Sequence, residues 1–138
     1  MTIWVIDDNP LHSMLIKSIC KALNIKCKCY LSYKEAVEEV NKFARINKDT
    51  QLAPDPDIPE LVFIDLVLEE GKRGEEIIHI LKEVFEKNEK GKEVKFVAFT
   101  ADMVSRRKLS ALGFNHVIYK PVLEEKISTI IRRTLRIF

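Results

Sequence analysis

Five times along this 138-residue chain, a short apolar run is followed by a segment whose apolar residues recur at helical spacing. The runs are Thr2 to Ile6, Ile25 to Leu31, Leu61 to Ile64, Val94 to Phe99 and Asn115 to Tyr119. Thr2 to Ile6 and Leu61 to Ile64 are continuous apolar runs, as suits strands covered on both faces of a parallel sheet, while Ile25 to Leu31 alternates. After the first run, Asn9 is a natural N-cap and Pro10 suits the first helical position, and Leu11, Leu15, Ser18, Ile19, Ala22 and Leu23 trace one face. Ala36, Val37, Val40, Phe43 and Ala44 follow the second run, with the helix reaching about Ile46. Ile77, Ile78, Leu81, Val84 and Phe85 follow the third, and a short helix from Met103 to Leu112, ended by Gly113, follows the fourth. Leu123, Ile127, Ile130, Ile131 and Thr134 form the last stripe, with Glu124 and Glu125 in its first turn and Arg132, Arg133 and Arg136 near its end, as the helix dipole favours.

Strict strand–helix alternation predicts an α/β chain, a five-stranded parallel sheet doubly wound by helices, because right-handed crossovers lay helices on both faces. Residues 1–138 are expected to make one domain. The proline-rich stretch from Asn47 to Pro59 is too broken for a regular element and reads as an exposed connection.

Charge and composition narrow the function. Lys plus Arg number 23 against 21 Asp plus Glu, which gives no electrostatic case for nucleic acid or an anionic membrane as partner. No apolar stretch approaches the roughly 20 residues of a membrane span, and no basic leader precedes the first strand, so a soluble, cytoplasmic chain is expected. Cys20, Cys27 and Cys29 lack a paired ligand pattern. Cys27 and Cys29 alternate with Ile25 and Leu31, so all four are expected on one face of a strand, with a core role favoured over metal binding. His12, His79 and His116 are scattered and are assigned no role.

In a doubly wound sheet, ligands sit beyond the carboxyl ends of the strands. Those positions hold Asp7 and Asp8 after the first strand, Asp65 after the third, Thr100 after the fourth and Lys120 after the fifth. Adjacent carboxylates raise each other's pKa unless something positive offsets them. An oxygen-liganded divalent cation, Mg²⁺ above all, meets that need and bridges to an incoming phosphoryl group. Lys120 supplies a second positive charge and Thr100 a hydroxyl donor. Asp65, alone on its strand and facing the acidic pair across such a metal, is the better nucleophile.

The fragments VIDDNP, LVFIDLVL, VAFTA and YKP resemble, in order and approximate spacing, the signature regions of response-regulator receiver domains of two-component signalling, over essentially the whole chain. The resemblance implies a flavodoxin-like strand order of 2-1-3-4-5. It implies that Asp65 is the phosphoacceptor, that Asp8 and Asp65 bind Mg²⁺ directly and Asp7 through a water, and that the Val67 carbonyl completes the protein ligands. Thr100 is then the switch hydroxyl and Lys120 the phosphoryl contact, while the family's usual cis bond falls at Lys120-Pro121, against the trans default.

Two departures stand out. The family's proline four residues after the acceptor is Glu69 here, and its glycine comes one residue late, at Gly74, in a loop whose Glu69 and Glu70 read as solvated charges. The aromatic three residues before the lysine is Val117, with Tyr119 aromatic on the same face, so output is expected to use Tyr119 or His116.

The expectation is a stand-alone receiver, because the chain leaves no room for an output domain after its last helix. It takes a phosphoryl group from a histidine kinase or phosphotransfer protein, catalyses only its own phosphorylation and dephosphorylation, and docks to a protein target through the fourth helix, fifth strand and last helix. The arginines of that last helix suit a homodimer equally well. Two rivals remain: a receiver-like constitutive binding module, and a haloacid-dehalogenase-like phosphatase, which needs a second Asp where Val67 stands.

Overall fold

The computed structural model describes residues 1–49, 58–67, 74–87, 90–100 and 105–137. Its strands are β1 (Thr2–Ile6), β2 (Lys26–Tyr30), β3 (Leu61–Asp65), β4 (Lys95–Thr100) and β5 (His116–Tyr119). Its helices are α1 (Pro10–Ala22), α2 (Tyr33–Asp49), α3 (Gly74–Phe85), α4 (Arg106–Leu112) and α5 (Glu124–Leu135), with a 3-10 turn over Lys90–Glu93. All strand pairs are parallel, in the order β2-β1-β3-β4-β5, as expected.

Side chains alternate across each strand, so the sheet has two cores. Trp4, Ile6, Val62, Ile64, Phe96 and Ala98 face one way, against Ala36 and Val40 of α2, Ile77, Ile78, Leu81 and Phe85 of α3 and Leu109 of α4. Ile3, Val5, Leu61, Phe63, Val97, Phe99 and Ile118 face the other, against Ile16, Ile19 and Cys20 of α1 and Ile127 and Ile131 of α5. The three central strands are buried along almost their full length, which is why they read as unbroken apolar runs.

The expected face of α1 is rotated in the structure. Its buried residues are Ser13, Ile16, Ile19 and Cys20, whereas Leu11 is 70% exposed and Ser18 and Ala22 face solvent. Two small, weakly polar residues complete the inner stripe and so hid it. On β2 only Ile25, just before the strand, is fully buried; Cys27 and Cys29 are half-buried, and Leu31 lies beyond the strand end, 44% exposed. An edge strand has one neighbour, so its packed face is only partly covered. Leu123, expected on the buried stripe of α5, is instead its half-exposed N-cap.

Local chemistry sets the helix ends. The Asn9 side chain accepts from the Leu11 N–H at 2.9 Å, with Pro10 following, and so fixes where α1 starts. Ser105 does the same for α4, accepting from the Lys108 N–H at 3.1 Å, and Gly113, at φ 109°, ends that helix in the left-handed region. Helix α4 thus begins at Arg106, and the expected start near Met103 lies outside the described residues, as do Glu69, Glu70 and most of the proline-rich connection. The side chains of Phe43, Ala44 and Ile46 also fall outside them.

Candidate functional site

Every residue expected at a strand end lies along the carboxyl edge of the sheet. Asp7 follows β1, Asp65 ends β3, Thr100 ends β4 and Lys120 follows β5. Ile6 pairs with Ile64, Asp65 with Phe99 and Thr100 with Tyr119, so the register carries these side chains to one level. Backbone bonds continue this alignment past the strands: Leu66 N–H donates to Phe99 O at 3.0 Å and Lys120 N–H to Thr100 O at 2.8 Å. The Lys120-Pro121 bond is cis.

Asp7 is fully buried, Asp65 is 2% exposed and Thr100 1%, while Asp8 is open to solvent on one side. One carboxylate oxygen from each of Asp7, Asp8 and Asp65 lies within 4.8 Å of the others, and among the described residues this is the one such acidic group. Three hard oxygen donors at that spacing fit a divalent cation of the Mg²⁺ class. Val67, two residues beyond Asp65, is half-exposed at the same rim.

Both oxygens of Asp65 are engaged. Oδ1 accepts from the Val67 N–H at 3.0 Å and Oδ2 from Lys120 Nζ at 3.0 Å. The start of α3 depends on Gly74: a Cβ there would lie 2.5 Å from the Asp65 carbonyl oxygen and 2.7 Å from Ile64 Cγ2. The glycine that comes one residue late in the sequence therefore lets α3 start directly against the backbone of β3, which a side chain would prevent, and its N–H donates to Leu66 O at 3.0 Å.

The structure also adds a residue that the sequence analysis left without a role. His12 Nδ1 is 2.7 Å from Asp7 Oδ2, while Asp7 Oδ1 accepts from the Asn9 N–H at 2.8 Å. His12 is the third residue of α1, a position whose side chain turns back toward the cap; its Nε2 lies 3.5 Å from Asn9 Nδ2. The signal was present in the sequence, since a cap directly after an acidic pair aims its third helical residue at that pair. Burial pushes the Asp7 carboxyl up from its ordinary 3.8 to about 6, opposed by the Asn9 N–H and His12 and reinforced by the charge of Asp65. Of the other two histidines, His79 lies on the exposed side of α3, far along the chain from the strand ends, and His116 begins β5. Partial burial, then Lys95 and Arg133, hold His116 below the ordinary imidazole range.

No protein-family model matches the sequence, and no curated protein matches it. Solved structures do. A CheY-like response-regulator receiver domain protein from Methanospirillum hungatei JF-1 superposes with a TM-score of 0.71 at 14% identity, covering 98% of this chain and 93% of that one. A two-component response regulator from Clostridium difficile gives 0.70 at 15%, covering 99% and 96%. The receiver domain of a sensor histidine kinase from Pseudomonas aeruginosa PAO1, solved with a magnesium ion coordinated in its active-site cleft, gives 0.66 at 17%, covering 98% and 97%. Identities this low speak for architecture: the chain has the fold of the response-regulator receiver domains.

Proposed function

We propose that the chain is a phosphorylation-dependent receiver whose acceptor is Asp65. The observation that carries this reading is the convergence of three carboxylates and one lysine on a single sheet edge of a receiver fold, with Asp65 held by Lys120 on one oxygen and by the Val67 amide on the other. Asp8 and Asp65 would hold Mg²⁺ directly, with Asp7 acting through a water and the Val67 carbonyl completing the set, in keeping with the magnesium described for the Pseudomonas domain. Bound there, Mg²⁺ would supply the positive charge that offsets the carboxylates and an incoming phosphoryl group. An Asp65 oxygen attacks phosphorus, a P–O bond forms, and the P–N bond to the donor histidine of a kinase or phosphotransfer protein breaks. Lys120 follows the new negative charge and the Thr100 hydroxyl donates to a phosphoryl oxygen.

The added charge of about −2 then favours one of two arrangements of the strand-end loops. Output runs over the face formed by α4, β5 and α5. There a cleft of about 490 Å³ is lined by Arg106, Val117, Tyr119, Lys126, Thr129 and Ile130, and the Arg106 guanidinium lies 5.7 Å from the Tyr119 ring centre. With Val117 in the usual aromatic place, Tyr119 is the aromatic that this face offers to a protein target.

Incubation with Mg²⁺ and a small phosphodonor, followed by intact-mass measurement, tests the assignment. The chain gains one phosphoryl group and Asp65→Asn gains none. Equal uptake by both moves the acceptor elsewhere, and no uptake by either favours the constitutive binding module.

A further inference from the structure

All three cysteines of the chain meet at one place, between the second half of α1 and the edge strand β2. Cys27 Sγ and Cys29 Sγ point to the same side of β2 and lie 3.9 Å apart. Cys20, on α1, is buried in the core against which Cys27 and Cys29 pack, but the three sulfurs do not all lie within 4.8 Å of one another. A disulfide between Cys27 and Cys29 does not suit this geometry, because residues two apart in an extended strand hold their Cβ vectors parallel and a disulfide needs about 2.05 Å between sulfurs. The observed separation has another match. Two thiolates on one metal ion at about 2.3 Å each stand roughly 3.8 to 4.0 Å apart in tetrahedral or trigonal geometry.

We propose that Cys27 and Cys29 form a dithiolate site for a soft d¹⁰ cation of the Cu(I) and Zn(II) class, separate from the oxygen-lined site at the strand ends. The sulfurs are placed for it. Cys27 and Cys29 are half-buried and not sealed in the core, and Cys27 opens onto a cleft of about 700 Å³ lined by Met1, Lys17, Lys21, Lys26 and Asn24. The Lys17 charge lowers the cost of ionising both Cys27 and Cys29, and so favours the anionic dithiolate that a cation binds. Without a metal the pair is still costly to ionise: the Cys20 thiol and burial push the Cys27 thiol up to about 12, against the opposing effect of Cys29, and the Cys27 thiol and burial push Cys29 further still, so both remain thiols. Metal uptake releases those protons to solvent, with no change in oxidation state. The polar surroundings agree. The same stretch of α1 leaves the Ser13 hydroxyl buried with no hydrogen-bond partner, and the Ser13 carbonyl lies 4.0 Å from Cys29 Sγ. Soft thiolates select copper(I) and zinc over magnesium, so the two sites do not compete for one ion.

The reduced full chain, held without oxygen, is titrated against a chromophoric Cu(I) chelator and, separately, a chromophoric Zn(II) chelator. The chain is expected to withdraw one equivalent of at least one of these ions, and Cys27→Ser or Cys29→Ser to weaken that binding by about 100-fold. Mg²⁺ uptake, read in parallel, stays unchanged in both variants. Thiol alkylation of the unsubstituted chain gives a measure that needs no variant: bound metal protects Cys27 and Cys29, and X-ray absorption shows two sulfurs at about 2.3 Å. Failure to withdraw either ion from its chelator, withdrawal equal in the doubly substituted Cys27→Ser, Cys29→Ser chain, or a first shell of oxygen and nitrogen each overturns the proposal.

Discussion

Replacing Asp7 by asparagine is expected to make the metal-free protein more stable. Asp7 is fully buried among like charges, and its carboxyl is raised from 3.8 to about 6 chiefly by burial. The native state therefore holds a proton that the unfolded chain has already lost. Stability is highest, for this group, below about pH 4 and falls as pH rises through the window between 3.8 and 6; above it the ionised carboxylate carries a penalty of about 3 kcal/mol. The Asp7→Asn variant lacks that penalty, but its amide turns an N–H toward a site where the Asn9 N–H and His12 already point at the carboxylate. One mismatched donor costs about 1 to 2 kcal/mol, so a net gain of about 1 to 2 kcal/mol is expected. The assay is urea unfolding in EDTA, Asp7→Asn beside the unsubstituted chain, from pH 4 to pH 8. The variant's advantage should be smallest near pH 4 and grow as pH rises, leaving it ahead at pH 7.5. Adding Mg²⁺ at about ten times its dissociation constant should stabilise the unsubstituted chain by about 1.4 kcal/mol and the variant by less. Parallel curves across the whole range, or a variant less stable in EDTA at neutral pH, would refute the view that burial of the Asp7 carboxylate is left uncompensated without a metal.

Other substitutions test neighbouring contacts. Gly74→Ala places a methyl against the Asp65 carbonyl and Ile64, and is expected to cost about 1 to 3 kcal/mol in chemical unfolding, with phosphoryl uptake slowed in whatever fraction remains folded. His12→Leu removes the Asp7 Oδ2 contact, and Mn²⁺ affinity read by electron paramagnetic resonance should fall about 10-fold; His12→Asn, which keeps a donor near the Nδ1 position, should recover most of it. Lys120→Met leaves the buried Asp65 without its cation and is expected to cost about 2 kcal/mol in EDTA, a loss that Mg²⁺ largely offsets.

The strands and the acidic corner were legible in the sequence for one physical reason. Central parallel strands are apolar on both faces, so their ends are marked by the first polar or charged residue, and Asp7, Asp65 and Thr100 stand at those marks. Helix faces were less legible where small residues do the packing. Leu15, Ile19 and Leu23 pack on the core as their spacing suggests, but Leu11 faces solvent and Ser13 and Cys20 lie inward because the cap at Asn9 sets the helix start and hence its rotation. His12 was missed for a related reason: its partner is five residues away, across a strand-to-helix turn, a spacing that neither a strand nor a helix period reports. The core role expected of the cysteines holds, with Cys20 fully buried and Cys27 and Cys29 packed against the same cluster; these two are only half-buried because β2 lies at the edge of the sheet.

The borders of the sheet bear on how copies of this chain can meet. Its outer strands are β2, with Lys26 and Lys28 among its five residues, and β5, only four residues long. Short, lysine-bearing rims resist edge-to-edge growth into a continuous ribbon between molecules. Self-association, if signalling calls for it, is thereby steered to helical surfaces, where it remains finite and reversible.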